Sequence, residues 1–348
     1  MRRLWRFTKW ALLLLVALII GLLAPVGYNE AMCRGDGPPA PATPLSGETR
    51  AEVRTLLTYP EWHIVHAYDD YAEVIRTGDP HQFKYLAAIG GYWSSLCSLT
   101  EESAQLGEID ASTKQLVYVI GVSFTFEMLV KALYEETLGR LAASLRGSDR
   151  AQLDDLSAEQ AAAYAKFLRQ VPWHQYDFRA DAAALAEAAT GSLRDRERSS
   201  ALGFEHRNRA AYAEVIAAAV EATGPDDLTL QMVITAIPQN ALTSVEGVRV
   251  IGPVEDGLEI ETPRYRQLTG ILANWAAQGA NFIDIAGNDQ IMFTAISQTP
   301  QIDGALASLP RQGYGDTRHL FLLPVTELAD TLRGLAARDL TLEHIHDY

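Results

Sequence analysis

The sequence predicts an α+β protein: an N-terminal transmembrane helix, a helical bundle-like half, then a ferredoxin-like α/β sandwich half. Three observations lead there. An uncharged apolar run follows a basic N-terminus. Apolar residues recur with a helical period between residues 50 and 222. At Gly224-Pro225 the period falls to two, and strand-like and helix-like segments alternate to the end.

The anchor comes first. Arg2, Arg3, Arg6 and Lys9 lie in a stretch without an acid, and Trp10 to Asn29 carry no charge. About 18 residues at roughly 1.5 Å rise span about 27 Å, near the hydrocarbon thickness of a bilayer. A helix satisfies every backbone group there internally. Contact with the lipid bilayer is therefore expected through residues 10–27. Basic residues stay on the cytoplasmic side. The expected location is a bacterial cytoplasmic (inner) membrane, crossed once, with the C-terminal part periplasmic. A cleaved signal peptide shares the basic start but has a shorter apolar core and small residues at the cleavage site. Met32 before Cys33 makes a poor lipidation motif.

Residues 1–29 are thus read as cytoplasmic segment and anchor, and 30–48 as a Pro/Gly-rich stalk. Pro38, Pro39, Pro41 and Pro44 favour an extended spacer, lifting the folded part by roughly 40 Å at about 3.1 Å per residue. Residues 49–223 form the expected helical domain and 224–348 the α+β domain.

The net charge is −15, and removing the four basic residues of the start leaves −19. Such a surface argues against nucleic acid, whose phosphates need a basic face, and against polybasic lipid contacts. There are two cysteines, Cys33 and Cys97. An oxidising compartment permits a bridge. Against it, Cys33 precedes the stalk, and Cys97 on an apolar helix suits a buried thiol. No CxxC, CxxCH, GxGxxG, Walker, HExxH or GxSxG motif occurs.

In chain order, Pro60 suits a first helical position, and that helix runs to Thr77 before Gly78. Asp79-Pro80 starts a second, aromatic helix to about Ser98, with Gly90-Gly91 suited to a close helix contact. A long helix is expected from about Ser112 to Leu145. Its first half, apolar all round, should be central to a bundle. As a second span it would bury Glu127 and Lys131 in lipid at a cost of several kcal/mol. Ser157 and Gln160 read as a capping box for a helix that Pro172 closes. Residues 182–190 and 207–222 complete the helices. Strands follow at 228–237, 248–254 and 257–262, then a helix started by Thr262-Pro263 and ended at Gly279. NFIDIA and QIMFTAIS read as a hairpin through Gly287-Asn288-Asp289. HLFLLP, a helix from 326 to 339 and the strand LTLEHIHDY close the chain. The order matches the split βαβ pattern. No internal repeat is legible.

TYPEWHIVHAYDDYAEVI (58–75) and SFTFEMLVKALYEETLGR (123–140) resemble segments of uncharacterised membrane-anchored bacterial proteins. The resemblance covers those stretches only. It implies an N-terminal anchor and assigns no catalytic residue.

Four groups carry candidate chemistry. His63, His66 and Asp70, with Glu73 nearby, share one helical face and could hold a divalent metal. The plain alternative, a solvated face opposite the apolar Ile64, Tyr68, Tyr71, Ala72 and Ile75, is the expected one. Ser123, Glu127, Lys131 and Glu135 form an i,i+4 stripe. Apolar neighbours predict that Glu127 and Lys131 are buried together, as a structural pair or as a catalytic pocket. Glu205 and His206 read as a loop feature that could face Glu127. His344 and His346 share one face of the last strand, a candidate metal pair with His319 or, more simply, the polar face of an edge strand.

The functional expectation is a non-catalytic exported module binding a protein partner or an apolar ligand through its aromatic helical half. The alternatives are a metal-dependent enzyme or metal-binding protein using His63, His66 and Asp70, and an enzyme built on Glu127 and Lys131. The cofactor is unknown, a divalent metal being the candidate.

Overall fold

A computed structural model of the chain describes residues 2–35, 55–223, 228–255 and 257–346. Helix α1 (Arg2–Met32) is long and apolar enough to cross a membrane by length and composition. Its last turns belong to the folded body. Asn29 and Cys33 are buried, and Cys33 is joined to Cys97 by a disulfide. Tyr118 Oη donates to Asn29 (3.0 Å), and Lys114 pairs with Glu30 (3.0 Å). A free spacer therefore does not begin at residue 30. Most of the expected stalk, 36–48, lies outside the described residues.

The helical half comprises α2 (Tyr59–Thr77), α3 (Tyr85–Ser103) and α4 (Ala111–Tyr134). A π-helical segment, Glu135–Gly139, leads into α5 (Arg140–Arg146). Then come α6 (Gln152–Leu168), α7 (Phe178–Ala188) and α8 (Leu193–Thr223). Helix α2 ends where Gly78 N–H bonds Val74 O (3.0 Å). The close contact expected at Gly90-Gly91 occurs at Gly91. A Cβ there would lie 2.4 Å from the His63 ring. Gly121 does the same for α3 against α4, where a Cβ would lie 2.4 Å from Tyr92.

Three expectations fail locally. Ser157 lies inside α6, whose start is capped by Asp154 accepting from Ala151 N–H (3.0 Å). Residues 193–206 join 207–222 in one helix, because Arg194 and Arg198 are needed as buried partners on it. Helix α4 is not central to a bundle. It buries Val117, Phe124 and Met128 while Val119, Phe126, Val130 and Leu133 face outward.

The remaining chain folds into two four-stranded antiparallel sheets where a single sheet was expected. The first contains β1 (Thr229–Thr235), β2 (Arg249–Val254), β3 (Gly257–Pro263) and β4 (Asn281–Ile285), in the order β2-β3-β1-β4. The second contains β5 (Gln290–Ser297), β6 (Ala307–Pro310), β7 (Thr317–Pro324) and β8 (Thr341–His346), in the order β6-β7-β5-β8. A short helix α9 (Gln239–Thr243) precedes β2; α10 (Arg266–Ala277) precedes β4 and α11 (Val325–Gly334) precedes β8. Helix α10 starts after Thr262-Pro263, because Tyr265 turns at φ +64°. Gly287-Asn288-Asp289 is not a hairpin turn: it carries the chain from one sheet to the other.

The two sheets are one unit repeated. Strand order is the same, and the central strands β1 and β5 each slip register against their last partner after the fifth residue, at Val233/Ile234 and Thr294/Ala295. WAAQGANFIDI at 275–285 matches LAARDLTLEHI at 335–345. Both segments turn through a left-handed residue, Gly279 (φ +95°) and Asp339 (φ +55°). Each is closed by the same bond, Ala280 N–H to Trp275 O and Leu340 N–H to Leu335 O (both 3.0 Å). Helix α11 lies against β4 and α10 against β8. The units thus share one core, in which Trp275, Phe282, Phe293, Leu328 and Ile345 are buried. Met292 and Leu320 belong instead to the helical core, so the second sheet also packs on the helices.

Candidate functional site

Helix α2 is buried on its polar face as well. His63, His66, Asp69 and Asp70 are all buried, which overturns the solvated-face reading. The face is covered by α3 and by the second sheet. His63 turns to α3, with Nε2 2.8 Å from Ala88 O. His66 turns to β8, with Nδ1 3.9 Å from Glu343 Oε1. Asp70 accepts from Gln312 N–H (3.0 Å) and lies 4.0 Å from Arg318. The expected triad therefore serves three different neighbours.

His344 and His346 are buried as well, so β8 has no polar outer face. They meet His66 across the junction. Ring centres are 4.9 Å apart for His344 and His346, and 6.2 Å apart for His66 and His346. Trp62 stacks near His344 (3.7 Å) and Tyr59 on the edge of His346 (4.9 Å). Arg318 forks onto Glu343 at 2.5 and 2.7 Å. His319 stays apart, held between Ser297 (3.0 Å) and Ser308 (2.9 Å). Burial drives His63 down to about 4 and His346 to about 3, and holds His66 and His344 well below the ordinary imidazole value. Among the described residues, the one group of three or more ligand atoms within 4.8 Å of one another is Cys33, Cys97 and Glu101, whose sulfurs are joined in the disulfide. The layer is a closed, neutral imidazole cluster joining the two halves.

The open site lies on the other side of α2. A cleft of about 400 Å³ runs between α2, α4, the end of α6 and α8. Its walls include Trp62, Val65, Ile120, Phe124, Leu168 and Trp173. Its floor is polar. Tyr68 Oη donates to Glu127 Oε1 (2.5 Å), and Arg209 pairs with the same carboxylate. Arg209 also donates to Tyr68 Oη (2.7 Å), and its guanidinium lies over the rings of Tyr68 (5.1 Å), Tyr164 (5.4 Å) and Phe178 (5.6 Å).

Glu127 and Lys131 are not a pair. Lys131 bonds Glu205 (3.0 Å), which lies 3.3 Å from Arg209. Two i,i+4 pairs of the same acid-then-base order, one on α4 and one on α8, interlock acid to base as a neutral square of four charges. Burial alone would raise the Glu205 carboxyl; Lys131 and Arg209 outweigh it and bring it to about 2. Glu127 remains 38% exposed, and so reachable from the cleft. Behind Arg209 lies an inner cavity of about 40 Å³, room for a water molecule or two. His206 lines it, lowered by burial to about 4, with Nδ1 unpartnered. Glu205 and His206 are thus helical and face the polar floor, which the loop reading missed. Arg209 was also missed. Its signal was the Glu205–Arg209 spacing, complementary to Glu127–Lys131.

Compared with protein families, curated proteins and solved structures, the chain matches none, so its function has to be read from its own geometry.

Proposed function

We propose that the chain is a single-pass membrane protein whose folded part is exported and binds an apolar or amphiphilic ligand in the cleft between α2, α4 and α8. The cleft carries this reading. Its volume of about 400 Å³ falls in the usual range for small-molecule sites, and it combines apolar walls with a few convergent polar groups. The ligand's apolar part would lie along Ile120, Phe124 and Leu168. Its polar end would meet the exposed carboxylate of Glu127 and the hydroxyl of Tyr68. Membrane anchoring is supported by the uncharged length of α1, and orientation by the basic residues before it. The Cys33–Cys97 bridge supports an oxidising compartment for the body.

A photoactivatable diazirine fatty acid tests the reading on the full chain in lipid vesicles. Crosslinks are expected within 168–173, where Leu168, Gln170, Val171, Pro172 and Trp173 line the cleft at the end of α6. Ile120→Trp, which fills the cleft, should lower that labelling at least about tenfold, as displacement of a well-packed ligand would. Labelling of 168–173 that is absent, or unchanged by Ile120→Trp, would sink the proposal.

A further inference from the structure

An apolar stripe runs along the outward side of α4 and α5, beside the exposed Glu136 and Arg140. Val119, Phe126, Val130 and Leu133 form it before the π segment, Leu138 within it, and Leu141 and Leu145 after it, each 48–69% exposed. Steps of three and four residues keep a stripe on one side of an α-helix. From Leu133 to Leu138 the step is five. The π-helical turn at Glu135–Gly139 absorbs one extra residue and holds the later leucines in line with the earlier ones. Three charged groups of the same helix point the other way and are paired with α8: Glu127 with Arg209, Lys131 with Glu205, and Glu135 with Arg198 (2.9 Å); the exposed Glu136 and Arg140 pair with each other (2.9 Å). An apolar face of about 39 Å, at roughly 1.5 Å per residue, is thus left open on a protein of net charge −15.

The position of α1 identifies what covers it. The uncharged run of α1 ends at Asn29, beside Lys114 and Tyr118 at the start of α4. The Cys33–Cys97 bridge holds that junction closed. The body therefore sits at the membrane surface and not at the end of a long tether. We infer that the outer face of α4 and α5 lies in the outer leaflet of the bilayer that α1 crosses, as an in-plane helix. This rests on the anchoring proposed above. The inward charges, bound to α8, rule out lipid on all sides, so α4 and α5 lie along the membrane rather than through it. Val119 belongs both to the stripe and to the rim of the cleft. An amphiphile held by the stripe's leaflet would reach the cleft without crossing water.

The test uses the full chain in lipid vesicles with one added thiol carrying a polarity-sensitive NBD dye. Phe126→Cys, Leu133→Cys and Leu141→Cys report the stripe, Leu15→Cys reports α1, and Asp330→Cys reports exposed surface on α11. Phospholipid brominated on its acyl chains is the quencher. Quenching is expected at 126, 133 and 141, at least half as deep as at 15, and absent at 330. If 15 is quenched while the stripe emits as in water, α1 is a membrane helix and the in-plane contact is wrong. Blue-shifted stripe emission without quenching means that a second copy covers the face, which also overturns the inference. No quenching at 15 overturns the anchoring and this inference with it.

Discussion

Lys131 shows how a short-range pattern can name the right residues and the wrong partners. On one helix Glu127 and Lys131 stand at the favourable spacing, yet Lys131 reaches across to Glu205 and Glu127 to Arg209. A double-mutant cycle separates the two accounts. Lys131→Met with Glu205→Gln should show a coupling of about 1–3 kcal/mol, and Lys131→Met with Glu127→Gln under about 0.5 kcal/mol. The larger coupling falling on Glu127 would mean that the charges are connected differently. Buried Arg198, forked onto Glu135 at 2.9 and 3.2 Å, is the stronger case. Arg198→Met strands a carboxylate and should cost about 3–5 kcal/mol in urea melts. The pair Arg198→Met with Glu135→Leu should recover most of it. Arg198 carries no such signal, because an arginine on an amphipathic helix reads as surface until its partner is placed.

At the scale of elements, most helices and strands were legible from period and punctuation: the α2 stop at Gly78, the α10 stop at Gly279, the alternation of β5 and β8. The errors cluster where a tertiary partner sets a boundary. The start of α8 moves to Leu193 because Arg194 bonds Asp154 (2.8 Å) across to α6. The π turn is invisible in composition, since it is chosen by the need to bury Glu135 while keeping leucines outside. The disulfide is the other such case. It closes a separation of 64 residues, and Cys33→Ser should lower stability by about 4 kcal/mol in the chain-entropy account. A thermal melt of the full chain, with and without reductant, measures this. Equal midpoints would show that the α1 junction holds without the bridge.

For the whole molecule, the imidazole layer makes the junction of the two halves sensitive to acid. His63, His66, His344 and His346 are all lowered by burial. Below pH about 6.5 the unfolded chain binds protons at these rings and the folded chain does not. Stability is therefore full above that pH and falls as pH drops toward 4, by up to about 1.4 kcal/mol per unit for each ring. Asp70, pushed up by burial to about 7, acts in the opposite sense, as do Asp181 and Asp284, which burial also raises. His206 and His319, lowered by burial, add to the four rings of the layer, so the histidines outnumber these acids six to three. The urea midpoint should thus be lower at pH 5 than at pH 7.5. His346→Phe, which removes two unpartnered nitrogens, should make that drop smaller. A midpoint that rises on acidification would refute the neutral layer. In the first sheet the positions matching Glu343 and His344 are Ile283 and Asp284. The polar layer thus belongs to the copy that faces α2.

By itself the sequence determined the apolar N-terminal helix, the division into helical and sheet-rich halves, and most element positions. These follow from composition and from periods of two and 3.6, which are local properties of the chain. Only the tertiary structure decided the rest. It buried both faces of α2, turned α4 outward, joined Cys33 to Cys97, and split one expected sheet into two copies of a unit. It also brought His66 to His344 and His346, and Glu127 to Arg209. Each depends on what lies across a gap in space, and residues distant in sequence leave no mark on each other's local pattern.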